Sequence, residues 1–119
     1  MLMNAFHMNC VSHIQHGFWV RQDTRQLEYT QLDPWIELAQ ILEKGCFDAL
    51  FLADVVGVYD TYRGGPETAI TEGMQIPVND PALLVPAMSY VTEHLGLAFT
   101  SSVLQTHPFT FARQMSTLD

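Results

Sequence analysis

The chain has 119 residues, with five Lys and Arg against thirteen Asp and Glu and a formal net charge of −8. That length suits one domain, and a chain 48% apolar and only 15% charged has the composition of a folded protein rather than a disordered one. The acidic balance argues against nucleic acid and anionic membrane as partners, because their phosphates are held first by Lys and Arg; no stretch reaches the length of a membrane span or has the layout of a signal peptide.

"MLMNAF" reads as a first strand. Residues 7–32, rich in His, Gln, Asn and Asp, lack a sustained period and read as a long loop. In "DPWIELAQILEKG", Asp33 is placed to cap a helix, Pro34 suits its first position, and Gly45 is the expected stop. Trp35, Leu38, Ala39 and Leu42 form its apolar stripe. "ALFLA" then runs apolar without alternation, as a parallel strand covered on both faces does, and finishes on Asp54. Residues 55–79 are irregular again, broken by Gly64, Gly65, Pro66 and Pro77. "NDPALLVPAMSYVTEHLG" repeats the helix grammar, with Asp80 as cap, Pro81 first and Gly96 as stop. Leu84, Met88, Val91 and Leu95 line one side of it, and Pro86 kinks its start or delays it. "LGLAFTSS" reads as a third strand and "HPFTFARQMSTLD" as the opening of a third helix, so the order is βα-βα-βα.

Both long connections follow strands and precede helices, whereas the helix-to-strand links are a few residues long. Long structureless connections inside a compact domain are commonly functional, and in a (β/α) barrel the strand-to-helix loops gather at the carboxyl end, where the active site lies. A dinucleotide fold would share that asymmetry, but "HMNCVSH" stands where its G-x-G-x-x-G would be. Asp54 therefore ends a buried strand on the working face, or simply caps the amides of the loop it begins. Asp48, at the other end of the same strand, reads as a turn or salt-bridge residue. Cys10 and Cys46 are far apart without C-x-x-C spacing and read as free thiols of a reducing, cytoplasmic compartment.

The runs "NAFHMNCVSH…GFW", "LEKGCFDALFLADVVGVYDTYRG", "PVNDPALLVPAMSYVTEHLGLAFTSSV" and "HPFTFARQMSTLD" resemble the nitrilotriacetate monooxygenase component A branch of the bacterial-luciferase-like flavin monooxygenases, which includes dimethyl-sulfide and sulfone monooxygenases. The resemblance covers nearly the whole chain. It implies the N-terminal βαβαβα portion of a (β/α)8 TIM-type barrel over residues 1–119, incomplete, since relatives continue for several hundred residues. It also implies reduced FMN supplied by a separate NAD(P)H-dependent flavin reductase. O2 is then activated as a flavin peroxide, one oxygen atom passes to a small nitrogen- or sulfur-containing substrate, and the full-length protein is a homo-oligomer.

Residue by residue, the resemblance assigns Asp54, Thr100 and Ser102 to the flavin and puts His13 and Trp19 on the substrate side. It identifies no catalytic residue, and the flavin-phosphate contacts fall outside these residues. Gly57, Tyr59 and Asp60 shape the second loop. Relatives usually follow the Trp directly with Arg, whereas Val20 intervenes here before Arg21. Two other readings stand beside this one. One is a non-catalytic truncated or interaction piece. The other is a metal-dependent barrel hydrolase using some of His7, His13, His16, His94 and His107, which lack H-x-H spacing.

Overall fold

Three short apolar segments form a parallel sheet: β1 (Asn4–Met8), β2 (Ala49–Ala53) and β3 (Gly96–Phe99), in the order β1-β2-β3. The structure, a computed structural model, describes residues 1–11 and 17–119. Pairing runs from Asn4↔Ala49 to Met8↔Ala53, and from Ala49↔Gly96 to Leu52↔Phe99. Each strand lies beside its successor, as consecutive barrel strands do, and the order shows no reversal of the kind a doubly wound sheet has. Every outgoing loop therefore leaves from one edge.

Helices α1 (Asp33–Lys44) and α3 (Val85–Tyr90) cover one face of the sheet. Trp35, Ala39 and Leu42 of α1 close the core with Leu50, Leu52, Leu84, Met88 and Leu95. Leu50, Leu52 and Met88 are fully buried, each contributing about 1.5–3 kcal/mol of hydrophobic stabilisation. Val91 and Leu38 pack against the same cluster. The opposite face is open: Phe6 and Phe51 lie 5.6 Å apart between ring centroids and are 48% and 36% exposed. Two-sided cover of β2 is thus not present among the described residues, although its sequence is apolar throughout.

Helix ends depart from expectation in part. Asp33 lies inside the first turn of α1, and no side chain caps that end. Gly45 keeps an ordinary negative φ, while Cys46 takes the left-handed conformation at φ 57. The Cys46 amide donates to the Glu43 carbonyl at 2.9 Å and the Phe47 amide to the Leu42 carbonyl at 3.0 Å, the paired closure of a Schellman turn.

The second helix is shorter than its periodicity suggests. Asp80 does cap, accepting from the Ala82 amide at 2.9 Å, but a single 3-10 turn (Pro81–Leu83) follows, and the α-helix starts late around Pro86 and ends at Tyr90. Beyond it, Thr92 Oγ1 donates back to the Met88 carbonyl at 3.0 Å. Glu43 Oε1 accepts the amides of Glu93 (2.7 Å), His94 and Leu95 (3.3 Å). These bonds, first the one from His94, hold the Glu43 carboxyl below the usual carboxylate range. Gly96 is therefore a strand residue and no helix stop: its amide donates to the Asp48 carbonyl at 2.9 Å, and a Cβ there would come within 3.0 Å of that oxygen. Asp48 is a stitch across the sheet rather than a salt-bridge residue, since its carboxylate also accepts the Met3 amide at 2.6 Å.

The long connections contain structure of their own: 3-10 turns at Phe18–Val20, Gln26–Glu28 and Tyr62–Gly64, and a five-residue helix α2 (Glu67–Thr71). The last helix, α4 (Pro108–Leu118), is capped by His107, whose Nδ1 accepts from the Phe109 amide at 3.3 Å. Among the described residues no helix is long and apolar enough to cross a membrane.

Two outcomes follow from this packing. The 119-residue chain on its own, with Phe6 and Phe51 48% and 36% exposed, is expected to self-associate in sedimentation velocity; a monomer that melts cooperatively would contradict this. Cys46→Gly, made in the whole protein, relieves a left-handed non-glycine residue and should raise stability by about 1 kcal/mol, read as a higher Tm.

Candidate functional site

A parallel strand cannot keep its last carbonyls and side chains inside the sheet, so the residues just after β1, β2 and β3 form a row at the carboxyl edge: Asn9, Asp54 and Thr100. The Thr100 amide still donates to the Leu52 carbonyl at 3.0 Å, which holds it level with the end of β2. The loops beyond are tied to one another. The Gln75 amide donates to the Val11 carbonyl at 3.0 Å, and the Asn79 amide to the Asn9 carbonyl at 2.9 Å. The second loop is thereby drawn back over the end of β1, which brings Asp80 near Asp54.

The result is a cavity of about 210 Å³ bordered by Asp54, Asp80, Thr100, Ser101 and Ser102, with Val56 and Val78 as apolar wall. Asp54 is half-buried, and desolvation, with the charge of Asp80 adding to it, pushes its carboxyl above the ordinary value; a hydrogen bond from the Val55 amide opposes the shift. Burial, helped by Asp54, pushes the Cys10 thiol up to about 11, which keeps it a neutral thiol at physiological pH. Cys10 and Cys46 are both free. The Asn9 side chain is 4% exposed, and its Oδ1 finds no hydrogen-bond partner among the described residues.

Three of the five residues singled out from sequence, Asp54, Thr100 and Ser102, thus surround one cavity. Trp19 does not border it; it sits half-buried in the turn Phe18–Val20, next to Gly17 at φ 89. His13 lies outside the described residues, as does His16. Arg21 is bound to Asp23 through two hydrogen bonds of 2.8 and 2.7 Å, so its charge is spent within the loop. Among the described residues no three His, Cys, Asp or Glu side chains gather as a metal site would require. Sequence reasoning missed Asp80 as a cavity residue. The N-D-P signal that marked it as a helix cap carries no information about the loop that folds back beside it.

Chemically, the cavity offers a carboxylate acceptor, neutral hydroxyl donors and an apolar wall, without a Lys or Arg in its lining. A ring edge carrying both N–H and C=O groups, as an isoalloxazine does, matches that set: the carboxylate accepts and the hydroxyls donate. A phosphate does not, because the two carboxylates repel it and no cation is at hand.

No protein-family model matches the chain. It is 59% identical over 117 residues to the long-chain alkane monooxygenase of Geobacillus thermodenitrificans (strain NG80-2), which spans 98% of this chain and 27% of that protein. A crystal structure of a long-chain alkane monooxygenase superposes with a TM-score of 0.93 at 58% identity, over 99% of this chain and 27% of that one. The dimethyl-sulfide monooxygenase of Hyphomicrobium sulfonivorans is 47% identical over 119 residues, covering 100% of this chain and 25% of the relative. A riboflavin lyase crystallised with modified FMN and riboflavin superposes with a TM-score of 0.87 at 32% identity, covering 99% of this chain and 26% of that one. The chain thus spans about a quarter of the length of the curated relatives it matches.

The raised carboxyl of Asp54 has a thermodynamic consequence. Folding favours its protonated form, so its contribution to stability is complete below the unfolded value near 3.9 and is lost as pH rises through the higher folded value. Asp54→Asn, which removes the desolvated charge, should raise Tm at neutral pH, with the gain shrinking toward zero below about pH 4 in paired melts of the two proteins.

Proposed function

We propose, for a chain that belongs with the luciferase-like flavin monooxygenases, that its protein is an FMNH2-dependent monooxygenase whose flavin ring lies against the Asp54–Thr100–Ser102 cavity. The observation that carries this reading is the convergence of those three side chains, from the ends of β2 and β3, on one cavity at the carboxyl edge. Reduced FMN, when bound, supplies the electrons that activate O2 for transfer of one oxygen atom to an organic substrate.

The residues of this chain then have distinct tasks. Thr100 and Ser102 donate hydrogen bonds to acceptor atoms at the ring edge, and Asp54 accepts from a ring N–H. Val56 and Val78 exclude water from that edge, which an oxygen-activating site needs if reduced oxygen is not to be lost to solvent. The phosphate of the cofactor is held away from this cavity, whose lining has no Lys or Arg. The open Phe6–Phe51 face is where further strands of a barrel complete the core.

The two-component character of such enzymes gives a separate NAD(P)H-dependent flavin reductase as the source of reduced FMN, within a reducing cytoplasm where two free thiols persist. Trp19 and His13 serve the substrate side, in an assembly of more than one copy. A non-catalytic piece is the second reading, favoured by the open sheet face alone.

The test is an FMN titration of the whole protein, followed by reductase-coupled oxygenation of a dialkyl sulfide. Thr100→Val should weaken FMN binding by about tenfold, the scale of one lost hydrogen bond to a buried acceptor. Unchanged FMN affinity in Thr100→Val and Ser102→Ala together would remove the flavin from this cavity, and an absence of FMN binding by the whole protein would favour the non-catalytic reading.

A further inference from the structure

Thr100 and Ser102 reach the cavity from the end of β3, a strand of only four residues (Gly96–Phe99). At about 3.3 Å per residue those four span about 13 Å, so the height of Thr100 against β2 is decided at the two ends of a short, stiff piece. At the carboxyl end the Thr100 amide donates to the Leu52 carbonyl at 3.0 Å. At the amino end the Gly96 amide donates to the Asp48 carbonyl at 2.9 Å. The three residues before it, Glu93, His94 and Leu95, each give an amide to one oxygen of Glu43, at 2.7 Å from Glu93 and 3.3 Å from Leu95.

That oxygen is well placed to act as a seat. Bonds to an ionised acceptor are shorter and stronger than those between neutral groups. Glu43 stands in the last turn of α1, a helix fixed by the burial of Trp35, Ala39 and Leu42. Leu95, held by the same oxygen, is itself buried in that core. Asp48 reaches β3 through a backbone carbonyl, which any residue there would supply, and uses its carboxylate on the Met3 amide. Glu43 makes its contribution with a side chain, and it lies outside the core cluster, so shortening it opens no cavity there. Donor and acceptor of every bond in this series lie within residues 43–100.

We propose that Glu43 is a positioning residue for the flavin site: from the opposite edge of the sheet it seats β3 against β2, and so sets where the Thr100 hydroxyl meets the ring. The proposal rests on the monooxygenase reading for the ligand, whereas the seating of β3 is a property of the fold. Losing the seat does not change register, since a slip of one residue would turn every side chain of β3 to the other face. It loosens the amino end of the strand and lets Thr100 shift by less than an ångström. Hydrogen bonds weaken steeply with misalignment, and a site held loosely by its supporting residues loses function with every group still present.

The test compares Glu43→Ala, Glu43→Gln, Thr100→Val and the Glu43→Ala/Thr100→Val pair in the whole protein, by FMN titration well below the lowest Tm of the set and by amide hydrogen exchange. Glu43→Ala should weaken FMN binding by about three- to tenfold, the scale of a strained hydrogen bond. Glu43→Gln, whose side-chain oxygen still accepts, should recover most of that loss. Added to Thr100→Val, Glu43→Ala should weaken FMN no further, because the group it acts through is gone. Exchange across residues 96–102 should quicken by about tenfold in Glu43→Ala while residues 4–8 keep their protection. A lower Tm with unchanged FMN affinity would make Glu43 a stabilising residue and nothing more. Additive losses in the double variant, or unchanged exchange across 96–102, would equally overturn the proposal. Faster exchange there in a protein that binds no FMN would instead strike the monooxygenase reading and leave the seating of β3 standing.

Discussion

The carboxylate of Glu43, reaching from the last turn of α1 to three successive amides of residues 93–95, is the interaction on which the site's geometry depends. It ends the run of residues after α3, lets Leu95 turn into the core, and delivers Gly96 to the Asp48 carbonyl. That contact starts the β2–β3 ladder, and the ladder brings Thr100 to the Leu52 carbonyl, just before Asp54 along β2. A helix and a strand far apart in sequence are thus set in register by one side chain. Its ionised form is the one the amides prefer, which is why its carboxyl is held low.

The same economy of contacts explains why the carboxyl edge collects the chemistry. Parallel strands in sequential order send every loop to one side, and backbone bonds between the two long loops close them over it. Groups that do not favour each other stand along that edge: the carboxylates of Asp54 and Asp80 on the cavity, the Cys10 thiol that feels Asp54, and the buried Asn9 Oδ1, which has no hydrogen-bond partner among the described residues. Local conflict of this sort persists only when surrounding structure over-determines it, here through the fully buried Leu50, Leu52 and Met88.

Much of this was legible in sequence because it depends on local pattern. The apolar run of 49–53 and the Asp54 that ends it located both β2 and the carboxyl edge of the sheet, the N-D-P run marked the Asp80 cap, and the delayed start at Pro86 follows from proline's missing amide proton. The misreadings share a physical cause. Glycine signals either a helix end or a close approach: α1 does stop at Gly45, with the left-handed turn taken by Cys46, whereas Gly96 makes a close approach inside a strand and was misread as a stop. Helix α2 was invisible because five residues between glycines and prolines carry no period. The end of α3 depends on Glu43, fifty residues earlier, which no window of sequence contains.

What was least legible in sequence, the meeting of Asp54 with Asp80, is also what gives the cavity its character. Either carboxylate alone is an ordinary loop residue, one at a strand end and the other capping a turn. Brought together by the Asn79–Asn9 backbone bond, they give the cavity two carboxylates beside an apolar wall of Val56 and Val78. The hydroxyls of Thr100 and Ser102 can still donate to an acceptor group there, beside carboxylates that accept from a donor.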